Sequence, residues 1–219
     1  MPARIEDYAI IGDTRTVALV DRHGSIDWWC APRIDSGAAF AALLGTKDNG
    51  RWLIAPKEAV LSVSRSYEKE TLVLETVFET ASGRVAVIDF MPPNYTDPTV
   101  HRIVEGRDGT AEMEMELIVR FEYGAITPWV TATGDGLVMV AGSDGLRFHS
   151  PVPLTGKDQA TVASFEIDPN TRRSFCSPGS PRRDRPLLHW TAWRPELTPG
   201  VGGATGSVVA PTRANGATT

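Results

Sequence analysis

Residues 112–121 read Glu-Met-Glu-Met-Glu-Leu-Ile-Val-Arg-Phe (EMEMELIVRF). The apolar residues recur every second position. In an extended chain, Glu112, Glu114 and Glu116 point one way, and Met113, Met115, Leu117, Val119 and Phe121 point the other. One face packs in a core and the other meets water, as in an antiparallel sheet. A slip of one residue would bury three carboxylates, so the register is strongly specified.

The same period extends outward from this segment. Segments 60–67, 71–80, 84–91, 99–105, 129–133, 137–141, 146–150 and 161–167 alternate or run apolar between Gly, Pro, Asp and Ser turns. Upstream, 16–20 and 25–29 flank Asp21-Arg22-His23-Gly24, a hairpin turn, and 50–55 returns to strand. About a dozen strands with turn signals every 8–12 residues, and no βαβ alternation, predict an all-β antiparallel sandwich. One short helix is expected over 38–45 (AAFAALLG), capped by Asp35 or Ser36 and ended by Gly45.

The charge is divided unevenly. The chain has 219 residues and a net charge of −5. Residues 1–170 carry 15 Lys/Arg and 25 Asp/Glu. Residues 171–219 carry 7 Arg, 2 acids, 6 Pro and 6 Gly, with no Lys or Ile. A domain is expected over 1–169, followed by an Arg/Pro/Gly-rich tail over 170–219 with little apolar surface to offset its ordering entropy. No signal peptide and no membrane span are read, so a cytoplasmic protein is the expectation. The acidic balance and the lack of a nucleic-acid motif argue against nucleic acid, despite Trp190 and Trp193 among the tail's arginines.

The chemical candidates are few. Three like carboxylates on one exposed strand face have nothing to raise one pKa selectively, so Glu112, Glu114 and Glu116 read as a solvated face. His23, His101, His149 and His189 show no i, i+2 or i, i+4 spacing, so no metal site is expected. Cys30 reads as a small buried residue. No GxGxxG, P-loop or GxSxG occurs, and no cofactor is called for. The concentrated stretch is 24–36, GSIDWWCAPRIDS. Strand alternation places Ile26, Trp28 and Cys30 on one face, and Asp27 and Trp29 on the other. The two indoles then form no common stacking platform. Arg33 and Asp35 can pair locally. The set reads either as structural or as the edge of a surface shared with another domain.

These residues also carry a resemblance. Ile5-Glu6-Asp7-Tyr8, Ile11-Gly12-Asp13, Thr16, Val20-Asp21 and Gly24-Ser25-Ile26-Asp27-Trp28 are followed by Pro32-Arg33, Asp35-Ser36, Phe40 and Leu43-Leu44-Gly45. Arg65, Tyr67, Thr71-Leu72 and Val87-Ile88-Asp89-Phe90-Met91-Pro92 continue the pattern. Over roughly residues 4–167 the chain resembles the opening of bacterial glycoside hydrolase family 15 proteins, the glucoamylase-like and trehalase-like enzymes. The resemblance implies an N-terminal β-sandwich that precedes an (α/α)6 toroid. In the family the toroid holds both catalytic glutamates and inverts at α-glucosidic bonds. No position of this chain inherits a catalytic role, and the chain alone is expected to be inactive. The implied partners are that toroid, absent from this sequence, and an α-glucoside sugar. Trp28, Trp29, Arg33, Asp35 and Trp52 are the candidate carbohydrate or interdomain surface. A free-standing carbohydrate-binding or regulatory sandwich is the alternative. The tail departs from the family pattern and reads as a shifted or truncated frame of a GC-rich gene, which the coding DNA beyond codon 170 tests.

Overall fold

The computed structural model describes residues 3–93 and 97–178. Its strands are β1 (Ala9–Gly12), β2 (Val17–Val20), β3 (Ser25–Cys30), β4 (Ala38–Phe40), β5 (Arg51–Pro56), β6 (Ser62–Tyr67), β7 (Leu74–Glu79) and β8 (Gly83–Phe90). They continue as β9 (Thr99–Gly109), β10 (Ala111–Ile118), β11 (Trp129–Ala132), β12 (Gly136–Ala141), β13 (Asp144–His149), β14 (Thr155–Lys157), β15 (Ala160–Ile167) and β16 (Arg172–Pro178). They form two eight-stranded sheets. The first runs β1-β2-β3-β5-β10-β15-β14, with β4 on β3. The second runs β11-β12-β13-β16-β9-β8-β7-β6. The named strand pairs are antiparallel, so the expected sandwich is what the chain builds.

Strand β10 behaves as its period demands. Met113, Met115 and Leu117 are buried, while Glu112 and Glu114 are exposed. Glu116 pairs with Lys47 at 2.9 Å and with Arg51 at 2.5 Å. Phe121, Val119 and the three inward β10 residues join a core shared with Ile54, Phe78, Val104, Phe148 and Phe175.

A fully buried ion pair ties the two sheets together through polar atoms. Arg102 on β9 and Asp89 on β8 are fully buried and form a forked pair, Nε to Oδ1 at 2.8 Å and Nη2 to Oδ2 at 3.1 Å. The same guanidinium donates across the sandwich to the Trp52 carbonyl at 2.6 Å and to the Gly24 carbonyl at 2.8 Å. Its carbon also lies 5.2 Å from the Trp52 ring centroid. A buried charge is tolerable only when its donors are satisfied, and here both sheets supply the acceptors.

Three expectations are corrected. Residues 38–45 form no regular helix: Ala38–Phe40 is β4, and Ala42–Leu44 is a single 3-10 turn. The high helix propensity of this alanine- and leucine-rich segment is overridden by pairing with β3, and the Ala41 and Ala42 N–H groups bond to the Gly50 carbonyl instead. Neither Asp35 nor Ser36 caps a helix there; the Ser36 hydroxyl accepts the Arg33 N–H at 3.2 Å. Second, the sheet does not end at Ile167. Arg172–Pro178 pairs along its whole length with β9, so the boundary drawn near Pro169 falls between two strands of the sandwich. The rest of the tail lies outside the described residues. Third, a bulge in β3 puts Ile26 on the side of Trp29, whereas Trp28 and Cys30 stay together opposite Trp29 as alternation expects.

Candidate functional site

The stretch 24–36 is built from a turn, a bulge and a loop. Gly24 has φ +85°, and a Cβ there would sit 2.3 Å from the Ile54 carbonyl oxygen, so the turn needs glycine. Asp21 Oδ1 accepts the N–H groups of His23 at 2.9 Å and Ser25 at 2.7 Å. Burial raises the Asp21 pKa above the ordinary carboxylate range. The Ser25 N–H opposes that rise, and the Asp27 charge adds to it.

Leu19 pairs with Trp28 and Val20 with Ile26, which leaves Asp27 as an extra residue in β3. This is a β-bulge. Its carboxylate accepts the Tyr8 hydroxyl at 2.8 Å and the Ser25 hydroxyl at 2.5 Å. Burial and that carboxylate hold the Tyr8 hydroxyl protonated well above the usual phenol range.

The bulge changes the faces that strict alternation assigns. Ile26 and Trp29 both enter the main core, whereas Trp28 packs with Cys30, Ala38 and Ala41 in a separate small cluster. Trp29 is fully buried against Phe40, ring centroids 5.9 Å apart. Trp52 is fully buried edge-on to Phe148 at 5.2 Å. Neither indole offers a free face, so Trp29 and Trp52 are core residues and not a sugar-stacking surface. Trp28 is half-buried under Tyr123, 5.9 Å between centroids. Arg33 and Asp35 are exposed and pair with each other at 2.8 and 3.2 Å. Cys30 is buried, and burial raises its thiol pKa.

The other motif residues are likewise internal wiring. Asp13 Oδ1 accepts the Arg15 and Thr16 N–H groups, each at 2.9 Å. The Thr16 hydroxyl bonds the Cys30 carbonyl at 2.5 Å. The Tyr67 hydroxyl both accepts from the Ile10 N–H and donates to the Ile10 carbonyl, each at 2.9 Å. It thereby closes the outer edge of β1 with a side chain from the other sheet.

The structure adds residues that spacing did not mark. Glu122, Tyr123 and Gly124 hold φ of 51°, 61° and 104°, a left-handed run that lifts Tyr123 onto Trp28. Left-handed φ at two consecutive non-glycine residues, found also at Asp158 and Gln159, carries no sequence signal. A cavity of about 30 Å³ lies beside this turn, lined by Pro32, Gly37, Phe121, Glu122 and Gly145 among others. That holds a water or two, far below the ~300–1,000 Å³ of a ligand pocket. Trp129 opposes Val140, and Val140 opposes Gly145, so the exposed start of β11 sits at this same end of the sandwich. Tyr123 on Trp28, Ile126 paired with Phe121, and Trp129 are exposed apolar side chains of this end, with Trp129 at 86% exposure.

A family model described as "Trehalase-like, N-terminal" matches residues 1–173. The chain belongs to that family. Among its relatives, a trehalase of Thermoplasma volcanium is 27% identical over 175 residues, 77% of this chain and 28% of the relative. Trehalase 2 of Sulfolobus acidocaldarius is 30% identical over 171 residues, 77% of this chain and 27% of the relative. A trehalase of Mycolicibacterium smegmatis is 34% identical over 85 residues, 39% of this chain and 13% of the relative. The chain thus spans about a quarter of the length of the two trehalases that it matches over most of its own. Among the described residues, no helix is long and apolar enough to cross a membrane.

Proposed function

We propose that this chain is the non-catalytic N-terminal sandwich domain of a glycoside hydrolase family 15-like enzyme of trehalase type. Its apolar end serves as the seat of an (α/α)6 catalytic domain and the rim of that domain's α-glucoside pocket. The observation that carries this reading is that the exposed side chains of Tyr123, Ile126 and Trp129 belong to the end of the sandwich around Trp28. Exposed apolar groups gathered in this way mark protein-docking surfaces. The candidate set narrows accordingly. Trp28, Arg33 and Asp35 stay at the surface beside this end, while Trp29 and Trp52 support it from within. With both cysteines free, the reading places the protein in a reducing cytoplasm.

The test uses the purified chain and a trehalase catalytic domain produced without its own N-terminal part. The chain alone is expected to release no glucose from trehalose or maltose, and to bind that helical domain. Trp129→Asp should weaken the complex at least tenfold. Glucose release by the chain alone overturns the reading. Sugar-dependent quenching of fluorescence that disappears in Trp129→Ala would favour the free-standing carbohydrate-binding alternative, for which Trp129 is the most exposed indole among the described residues.

A further inference from the structure

The second sheet ends in β11 at one edge and in β6 at the other. The β11 edge starts at the docking end already described, so β6 lies across the sheet from it. Among the described residues β6 pairs with β7 alone, and that ladder runs through all six residues without a bulge. An unpaired strand edge accepts a further strand unless it is short, charged, broken by Pro, bulged or covered. Two other edges carry such protection. Strand β1 has four residues, and the Tyr67 hydroxyl occupies the Ile10 N–H and carbonyl. Strand β14 has three residues and ends in Lys157. Strand β6 is longer and reads Ser-Val-Ser-Arg-Ser-Tyr, with no Lys, Asp, Glu or Pro. Its one charge is drawn inward, Arg65 Nη1 donating to the Val20 carbonyl at 3.3 Å. Ser62, Ser64 and Ser66 are exposed.

Exposed apolar residues flank this neutral middle at both ends. Val60 and Leu61 precede β6, Tyr67 ends it, and Leu72 lies in the turn to β7. The Glu68 N–H donates to the Val73 carbonyl. Bonded and non-bonded pairs alternate along an antiparallel ladder. Ser64 and Ser66 therefore spend their backbone groups on β7, while Val63 and Arg65 aim theirs outward.

We propose that two copies of this chain pair through β6, antiparallel about a two-fold axis at Ser64, into one continuous sheet. That centre sets the outward backbone groups of Val63 in each copy against those of Arg65 in the other. It also places Ser64 opposite Ser64, a small neutral pair. A centre at Arg65 would align outward groups as well, but would set two guanidiniums opposite each other, and like charges directly opposed are destabilising. The axis at Ser64 brings the end with Val60 and Leu61 of each copy to the end with Tyr67 and Leu72 of the other, so each exposed apolar end covers its counterpart. A patch that complements itself in this way fits a second copy, because two-fold pairing uses the same surface twice. Strand addition supplies main-chain hydrogen bonds, and the side chains at the ends fix the register. The dimer leaves Trp129 free at the far edge, and it does not rest on the function proposed for that end.

The full chain is passed through size exclusion with light scattering over a dilution series. Its mass should rise from one chain to two with concentration. Ser64→Lys, at an exposed position, sets like charges together at the axis and should weaken the dimer about tenfold or more. Trp129→Asp should leave it intact. Ser64→Cys should form an intermolecular disulfide under mild oxidation, faster than Ser62→Cys, whose two copies stand about 13 Å apart along the strands. The native Cys30 and Cys176 are buried, and the parent chain is the control for them. A chain that stays monomeric throughout, a dimer that survives Ser64→Lys unchanged or is lost in Trp129→Asp, or equal cross-linking of the two cysteine variants overturns the proposal.

Discussion

Two arginine–aspartate pairs in this molecule share a chemistry and differ in everything around it. Arg33 and Asp35 lie two residues apart on an open loop and form a two-pronged pair in water. Arg102 and Asp89 form the same fork in a fully buried setting, thirteen residues apart and on neighbouring strands. The exposed pair has solvent as a ready substitute, so it decides little. The buried pair has no substitute, and its guanidinium also occupies two carbonyls of the opposite sheet. Burial, and not the pairing itself, makes a salt bridge structurally decisive.

The largest effect is expected at Arg102. Arg102→Met leaves the Asp89 carboxylate and the Trp52 and Gly24 carbonyls without their donor. The expected loss is about 3–5 kcal/mol of stability, read from urea unfolding. Adding Asp89→Leu should recover part of it, because the stranded charge is gone while both carbonyls still lack the guanidinium, the Gly24 carbonyl keeping only the Ile54 N–H. A fully stable single variant would break the comparison.

A smaller and pH-dependent effect is expected at Asp21, whose pKa is raised in the folded state. Between its unfolded and folded pKa the folded chain binds more protons, so this group costs stability as pH rises through that window. Asp21→Asn keeps an oxygen for the His23 and Ser25 N–H groups and removes the charge near Asp27. Its Tm relative to wild type should therefore increase with pH across the acid range and stay at or above wild type at neutral pH. A relative Tm that falls with rising pH would reverse the sign. The smallest effect is at the exposed pair: Arg33→Ala should leave Tm unchanged at low and high salt, and a loss on the scale of Arg102→Met would erase the distinction.

The same contrast explains what could be read in advance. Period-two segments such as 112–121 disclosed strands and their faces, because side-chain alternation is local and is written directly into the residue order. The helix expected over 38–45 failed because its competitor, pairing with β3, is a distant interaction. The bulge at Asp27 has no local marker either. It depends on Tyr8 and Ser25 closing around one carboxylate. Of the candidate surface, the local pair Arg33–Asp35 was legible, and the burial of Trp29 and Trp52 was not. Arg102 gave no local sign at all, since its partners come from β8, β5 and the β2–β3 turn.

Strand β16 carries a consequence for how the molecule is made. It lies in the interior of the second sheet, with β9 on one side and β13 on the other. During synthesis β6–β9 and β11–β13 emerge first, as two patches with facing raw edges. They can join only when residues 172–178 have left the ribosome. Until then the nascent chain presents two open strand edges to its neighbours, the condition in which chains cross-pair and aggregate. The window for error therefore stays open until nearly all of the sandwich has been translated.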